Sequence, residues 1–175
     1  KMKYLLLFML IATACFAHLD EPHFIQVDEE IVGEVTLTDI DKTILDWSDE
    51  AEIWEPDYEL VEELSQVDFP VGIICVLGTW CEDSVREVPR FVKLLKVIEN
   101  PNFKLKMLAV GRKDNELALE WEKQNGFEVG VRAEYQIEFV PTFIFYKDGV
   151  EIGRIIETPE ISLEIDMSHI IGDAK

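Results

Sequence analysis

One cysteine stands where it could act as a nucleophile, in the stretch Trp80-Cys81-Glu82-Asp83-Ser84. The apolar run from Val71 to Leu77 before it predicts a buried strand, and the residues after it predict a helix. The free N–H groups and positive dipole end of a helix start favour an anion, and the thiolate is the nucleophilic form of cysteine. Cys81 is therefore predicted to be reactive; the alternative is a structural cysteine.

The segments around this cysteine indicate how it would be positioned. After Ser84, apolar residues recur at three- and four-residue steps, which predicts one buried helix face: Val85, Val88, Phe91, Val92, Leu95 and Ile98. Pro89 lies inside this helix and should kink it without ending it. Further along, Pro141 opens a predicted strand, Asp148-Gly149 predicts a hairpin turn, and a second strand runs from Val150 to Glu157.

Taken together, these motifs resemble the thioredoxin superfamily. Trp80-Cys81-x-x-Ser84 opening a helix, Pro89 within it, and Val140-Pro141-Thr142 before a hairpin match three recognisable parts of that family, over roughly Tyr58 to Ile171. The Cys-x-Asp-Ser form looks closest to a subgroup of exported bacterial thioredoxin-like proteins. The resemblance implies that Pro141 is a cis-proline and that the Val140 backbone faces Cys81. It also implies a substrate-binding surface formed by Trp80, Val140, Pro141 and Thr142.

Two positions depart from the family pattern. Ser84 stands in place of the usual second, resolving cysteine, so an intramolecular disulfide cannot form there and an outside thiol must resolve any mixed disulfide at Cys81. Cys75 stands where thioredoxins commonly bury an acidic residue that relays protons. Its apolar neighbours favour core packing, and a hidden resolving thiol is the alternative.

Other residues near Cys81 have two readings each. Glu82 and Asp83 either satisfy the helix dipole or modulate the thiol by opposing a thiolate. Ser84 either donates a hydrogen bond to the thiolate, as part of the catalytic pair, or faces solvent. Arg86 and Arg90 either offset the two acids or are ordinary exposed arginines.

The first seventeen residues predict a processing signal. Lys1 and Lys3 precede an apolar run from Tyr4 to Ile11 that is too short to span a membrane. The segment is either an export signal cut near Ala14 or Ala17 or a bacterial lipoprotein signal with Cys15 as the lipidated residue; a buried helix is the third reading. Both export readings place the protein in the periplasm or on a membrane as a lipoprotein, where disulfides persist.

Composition fits one globular domain with an acidic arm. The chain has 175 residues, of which 48% are hydrophobic, and its formal net charge is −20. This charge argues against nucleic acid and anionic membrane surfaces as partners, which leaves only a lipid anchor on Cys15 as a membrane link. Residues 18–55 form the acidic extension, either as a solvated face or as a docking surface for a basic partner, and residues 56–175 the thioredoxin-like domain.

The pattern of elements predicts an α/β fold, with a mixed sheet covered by helices on both faces. The predicted strands are 31–38, 71–77 and 103–110, with the hairpin at 142–157; the predicted helices are 58–66, 82–98, 116–124 and 162–171, with a short helical turn before Ile137. The scattered histidines His18, His23 and His169 lack metal-ligand spacing, so we predict no metal and no cofactor.

Two functions follow from these observations. The first is a thiol–disulfide oxidoreductase of reductase or isomerase type, in which Cys81 attacks a client disulfide and an external thiol reductant releases the product. Its partners would be protein clients that carry disulfides or thiols. The second is a binding module that holds such clients in the groove beside Pro141 without turnover.

Overall fold

The computed structural model describes residues 23–27, 29–43 and 47–174. The predicted processing signal and Cys15 lie outside these residues. The described strands are β1 (Phe24–Val27), β2 (Glu30–Val35), β3 (Val71–Leu77), β4 (Phe103–Ala109), β5 (Thr142–Lys147) and β6 (Val150–Ile156). The described helices are α1 (Leu37–Thr43), a 3₁₀ helix (Trp47–Ala51), α2 (Tyr58–Ser65), α3 (Glu82–Ile98), α4 (Glu116–Gln124), α5 (Val131–Glu134) and α6 (Leu163–Gly172).

The strands form one mixed sheet in the order β1-β2-β4-β3-β5-β6. β3 and β4 are parallel, with Leu77 opposite Ala109 at their carboxyl ends, and the other pairs are antiparallel. Parallel neighbours need a crossover connection, and α3 supplies it. The predicted α/β fold with a mixed sheet is confirmed.

Two hydrophobic clusters cover the two faces of this sheet. Along β3, Ile73, Cys75 and Leu77 belong to the larger cluster with α2, α3 and α6, while Val76 belongs to the smaller one. Successive side chains of a strand point to opposite faces, which explains the division. The smaller cluster is completed by residues of α5 and the segment that follows it: Val131, Ile137 and Val140. Helices therefore lie on both faces, as predicted.

The N-terminal strands correct one expectation. A strand was predicted over Ile31 to Thr38, but β2 ends at Val35 and α1 begins at Leu37. Thr36 caps this helix, because its Oγ1 accepts a hydrogen bond from the Asp39 N–H while Asp39 Oδ2 accepts from the Thr36 N–H. β1 and β2 fall within the predicted acidic extension, yet β2 pairs with β4 and both strands are integral to the sheet.

None of the helices that the structure describes is long and apolar enough to cross a membrane.

Candidate redox site at the start of helix α3

Cys81 occupies the position that directly precedes α3. Its backbone is extended, with φ of −100° and ψ of 122°, and its carbonyl accepts the first helical hydrogen bond from the Val85 N–H. The side chain is half-buried, and Sγ donates a hydrogen bond to the Val140 carbonyl oxygen at 3.1 Å. The sulfur thus lies at the positive end of a seventeen-residue helix, where an anion is stabilised.

The segment that faces this sulfur is Val140-Pro141-Thr142. The Val140–Pro141 peptide bond is cis, the conformation that the resemblance implies. Val140 and Thr142 are buried, and Thr142 Oγ1 donates to the Phe139 carbonyl at 2.7 Å. Phe139, two residues before the proline, is 46% exposed. This arrangement brings Cys81 and Val140 together beside an accessible surface.

Trp80 packs against the turn between β3 and α3. Its Nε1 donates to the Val110 carbonyl at 3.1 Å, which ties the turn to the end of β4. A Cβ atom at Gly78 would lie only 2.8 Å from the indole, so this ring position requires glycine there. The indole in turn contacts two cations: the guanidinium carbons of Arg112 and Arg132 lie 5.1 and 5.8 Å from its centroid.

Arg112 is held by Glu30, a buried residue of β2. The carboxylate pairs with the Arg112 guanidinium and also accepts from the Arg112 N–H at 3.0 Å and from Asn115 Nδ2 at 2.9 Å. Burial alone would raise the pKa of Glu30, but these hydrogen bonds outweigh it and hold the pKa below its ordinary value. The N-terminal strands thereby fix one wall of the site.

A second link joins the same strand to the site turn. The Ile31 N–H donates to Oγ1 of the buried Thr79 at 3.1 Å, and Thr79 directly precedes Trp80. Sequence reasoning gave β2 no part in the site, whereas Glu30 and Ile31 both support it.

Arg132 reaches the site from α5. This short helix is anchored by buried Glu122, which accepts from the Val131 N–H at 2.9 Å, and it begins after Gly130, whose φ is +83°. The Arg132 guanidinium donates to the Gly111 carbonyl at 3.2 Å. Burial lowers the pKa of Arg132, although Glu122, Cys81 and Glu30 all favour its charged form. Arg132 is therefore a partly desolvated cation within electrostatic range of Cys81.

Ser84 is fully buried, and its Oγ accepts a hydrogen bond from the Gly78 N–H at 3.2 Å. Of the two interpretations of Ser84, the one in which it faces solvent is wrong, because the first turn of α3 directs it toward the site turn. Its hydroxyl holds the backbone on which Trp80 packs.

The charged residues of the first turns of α3 pair with one another. Arg86 donates to Asp83 and to buried Glu87, both at 2.6 Å, and these hydrogen bonds raise its pKa. Glu82 is exposed. Arg86 is thus held along the helix by its own carboxylate partners, while Arg90 lies 3.8 Å from Glu87.

Cys75 lies away from this site. Its side chain is fully buried within the larger hydrophobic cluster, and burial strongly raises the pKa of its thiol. The prediction that it packs in the core is confirmed. Both Cys75 and Cys81 are free thiols.

Sequence reasoning missed Arg112 and Arg132. Arg112 could have been found, because it follows β4, and the carboxyl ends of parallel neighbours such as β3 and β4 meet at one edge of the sheet. Arg132 had no such signal, since its position depends on how α5 docks. No group of His, Cys, Asp or Glu in the described ranges is arranged to hold a metal ion.

The sheet order and the crossover through α3 define a thioredoxin-like fold, in which Cys81 precedes α3 and lies opposite Val140. No protein-family model matches the chain, and no curated protein sequence is significantly similar to it.

Solved structures give distant likenesses. A protein of unknown function from Pseudomonas aeruginosa aligns with a TM-score of 0.47 and 16% identity, over 81% of this chain and 76% of its own. Reduced thioredoxin 2 from the same organism aligns with a TM-score of 0.40 and 18% identity, over 65% of this chain and 89% of its own. A yeast mitochondrial 1-Cys peroxiredoxin aligns with a TM-score of 0.36 and 21% identity, over 59% of this chain and 79% of its own.

Proposed function

We propose that this protein is a thiol–disulfide oxidoreductase of reductase or isomerase type that works through Cys81 alone. The observation that carries the proposal is the 3.1 Å contact between Cys81 Sγ and the Val140 carbonyl at the start of α3. The half-buried thiol thus lies at Val140, next to the exposed Phe139, where we propose that an extended client segment approaches. The predicted export signal supports a site of action outside the cytoplasm, where client disulfides persist.

The proposed reaction is an exchange in three steps. The Cys81 thiolate attacks one sulfur of a client disulfide, so the Cys81–client bond forms, the client S–S bond breaks, and the second client sulfur leaves as a thiolate. An external thiolate then attacks the client sulfur of the mixed disulfide and expels Cys81. A disulfide between the external thiol and that client sulfur forms as Cys81 leaves as a thiolate. A second external thiolate then displaces the client sulfur, so that two external thiols are oxidised to their disulfide, both client sulfurs are reduced, and Cys81 returns unchanged.

Ser84 explains why the second step needs an outside thiol. A serine hydroxyl cannot form a disulfide, so Ser84 cannot displace the client; its buried Oγ instead accepts a hydrogen bond from the Gly78 N–H. The substrate contacts that we assign are Trp80, Val140, Pro141 and Thr142. Glu82, Asp83 and Arg86 are modulators at most, because Arg86 and Asp83 form an ion pair with each other.

The test combines trapping with turnover. Wild-type protein, Cys81→Ser and the matched control Cys75→Ala are incubated with insulin as a disulfide client, and adducts are counted on non-reducing gels. We expect adducts with wild type and Cys75→Ala that disappear on addition of 2-mercaptoethanol, and none with Cys81→Ser. Wild type should also accelerate insulin reduction by 2-mercaptoethanol.

Equal trapping by Cys81→Ser would refute the covalent mechanism. Trapping by wild type without any acceleration of insulin reduction would instead favour the binding module that holds clients.

A further inference from the structure

We propose that the basic cavity beside Trp80 binds the carboxylate of a low-molecular-weight thiol, and that this thiol is the one that releases clients from Cys81. The inference rests on the proposed function, because it names the chemical class of the external thiol.

The cavity lies between the end of β4, α4 and α5. Its volume is about 160 Å³, and three cationic side chains line it: Arg112, Lys113 and Arg132. Ala118 and Leu119 supply apolar surface. Roughly five water volumes fit such a space, which suits the end group of a small molecule. A folded protein partner could not enter it.

The charge of this cavity opposes that of the chain. Glu122 is the one carboxylate among the described lining residues, against three cations; burial raises its pKa, while the hydrogen bond from the Val131 N–H and the charge of Arg132 act in the opposite direction. The chain as a whole carries a formal charge of −20, which repels anionic thiols elsewhere. A carboxylate would therefore find locally favourable electrostatics here.

Arg132 is the cation best suited to receive that carboxylate. Its described partners are the Gly111 carbonyl and the Trp80 ring, and no described carboxylate forms an ion pair with it. A guanidinium has five N–H donors and pairs well with the two oxygens of a carboxylate. Partial desolvation strengthens such a pair.

One wall of the cavity is also within electrostatic range of the reacting residue, because Cys81 is among the groups that favour the charged form of Arg132. The indole that contacts both guanidinium groups belongs to Trp80, which directly precedes Cys81, and both residues pack against the smaller hydrophobic cluster. A thiol whose carboxylate contacts Arg132 would thus be held beside the mixed disulfide. Its thiolate attacks the client sulfur, a new disulfide forms between the two, and Cys81 leaves as a thiolate.

The experiment measures the release step by itself. Cys81 is first converted into a mixed disulfide with the neutral reagent bis(2-hydroxyethyl) disulfide, verified by mass spectrometry. Release is then timed with 3-mercaptopropionate, which is anionic, 2-mercaptoethanol, which is neutral, and cysteamine, which is cationic. Each rate is divided by the rate of the same thiol with the free reagent, so that intrinsic thiol reactivity cancels.

Arg132→Gln is compared with Arg132→Lys, Lys113→Gln and the control Lys104→Gln. Lys104 lies opposite Gly72, at the end of the β3–β4 pair far from Cys81, so its loss removes one charge without touching the cavity. We expect wild type to prefer the anionic thiol. Arg132→Gln should lower the anionic-to-neutral ratio roughly three- to tenfold, the effect of one partly screened ion pair.

Arg132→Lys should keep much of the preference, and Lys104→Gln should keep all of it. High salt should weaken the preference in wild type more than in Arg132→Gln. If Arg132→Gln does not fold, the exposed Lys113→Gln variant and the salt dependence decide the question.

Equal ratios in Arg132→Gln, Lys113→Gln and Lys104→Gln would overturn the proposal. Adduct formation can also be timed with an anionic disulfide. If the charge preference appears in that step and not in release, the proposal is overturned, because the cavity would then bind the client. Failure of Cys81 to form the mixed disulfide at all would refute the proposed function itself, a result distinct from loss of thiol selectivity.

Discussion

Cys75 and Cys81 are six residues apart, yet they occupy different environments. Cys75 lies in the middle of β3 and packs with Phe91 and Phe143 in the larger cluster, whereas Cys81 ends the following turn and packs against the smaller cluster. The same side chain is therefore a hydrophobe at one position and an accessible thiol at the other. What differs is the backbone: a paired strand excludes water, and a helix start presents its residue at the edge of the sheet.

The comparison also bears on the idea that Cys75 is a hidden resolving thiol. Its side chain lies on the face of the sheet opposite Val76, and Val76 belongs to the cluster against which Cys81 packs. A disulfide tolerates little misplacement of its two Cβ atoms, so a Cys75–Cys81 bond would require the turn to unfold. Resolution from outside the chain is the simpler chemistry.

The largest expected difference between the two cysteines is in alkylation rate. In the folded protein, iodoacetamide should label Cys81 on the order of 10³ times faster than Cys75 or more, because Cys75 reacts only when the sheet opens. The contrast should persist at pH 9, since burial raises the pKa of Cys75 and keeps its thiol protonated. Peptide mapping by mass spectrometry gives both rates and separates the Cys15 peptide.

In denaturant the two cysteines should react at similar rates, which serves as the control. Faster labelling of Cys75 than of Cys81 in the native protein would show that the site is assigned to the wrong thiol.

The same substitution at the two positions should differ in its effect on stability. Cys75→Ser places a hydroxyl in an apolar cluster and should lower the free energy of unfolding by about 2 kcal/mol. Cys81→Ser replaces a half-buried residue beside the Val140 carbonyl, to which a hydroxyl can also donate. It should therefore alter the free energy of unfolding by less than about 0.5 kcal/mol. Urea denaturation of both variants measures this, and equal losses would contradict the comparison.

The smallest expected effect concerns Ser84. Ser84→Cys should close a disulfide with Cys81 under mild oxidation, so that neither thiol is alkylated afterwards. In the reduced state, both Ser84→Cys and the control Ser84→Ala should lose about 1 kcal/mol of unfolding free energy, because the buried Gly78 N–H loses its acceptor.

Oxidation should then stabilise Ser84→Cys and leave Ser84→Ala unchanged. Persistent alkylation of both thiols after oxidation would mean that the turn from Trp80 to residue 84 holds them too far apart.

Most elements could be predicted because their patterns are local. The bounds of β3, α3 and α4 coincide with those predicted, since apolar periodicity and turn residues mark both ends. No predicted element covers β1, and the strand predicted over Ile31 to Thr38 runs past the Thr36–Asp39 capping box that begins α1.

The site could be predicted only in part, for a similar reason. The contact of Cys81 with Val140 followed from motifs that each lie within one short segment. The cations over Trp80 come from two further segments, and their meeting depends on Glu30, which pairs with Arg112, and on Glu122, which anchors α5. Such long-range hydrogen bonds leave no periodic trace in a sequence.

The pairing of β2 with β4 has a consequence for anyone who wishes to shorten this protein. A fragment beginning at residue 56 would uncover the β4 edge along Met107, Leu108 and Ala109, which β2 pairs with through Val35, Glu34 and Gly33. Exposed strand edges with apolar residues are templates for pairing with other molecules, and thus for aggregation. The N-terminal strands therefore protect the apolar β4 edge from pairing with other molecules.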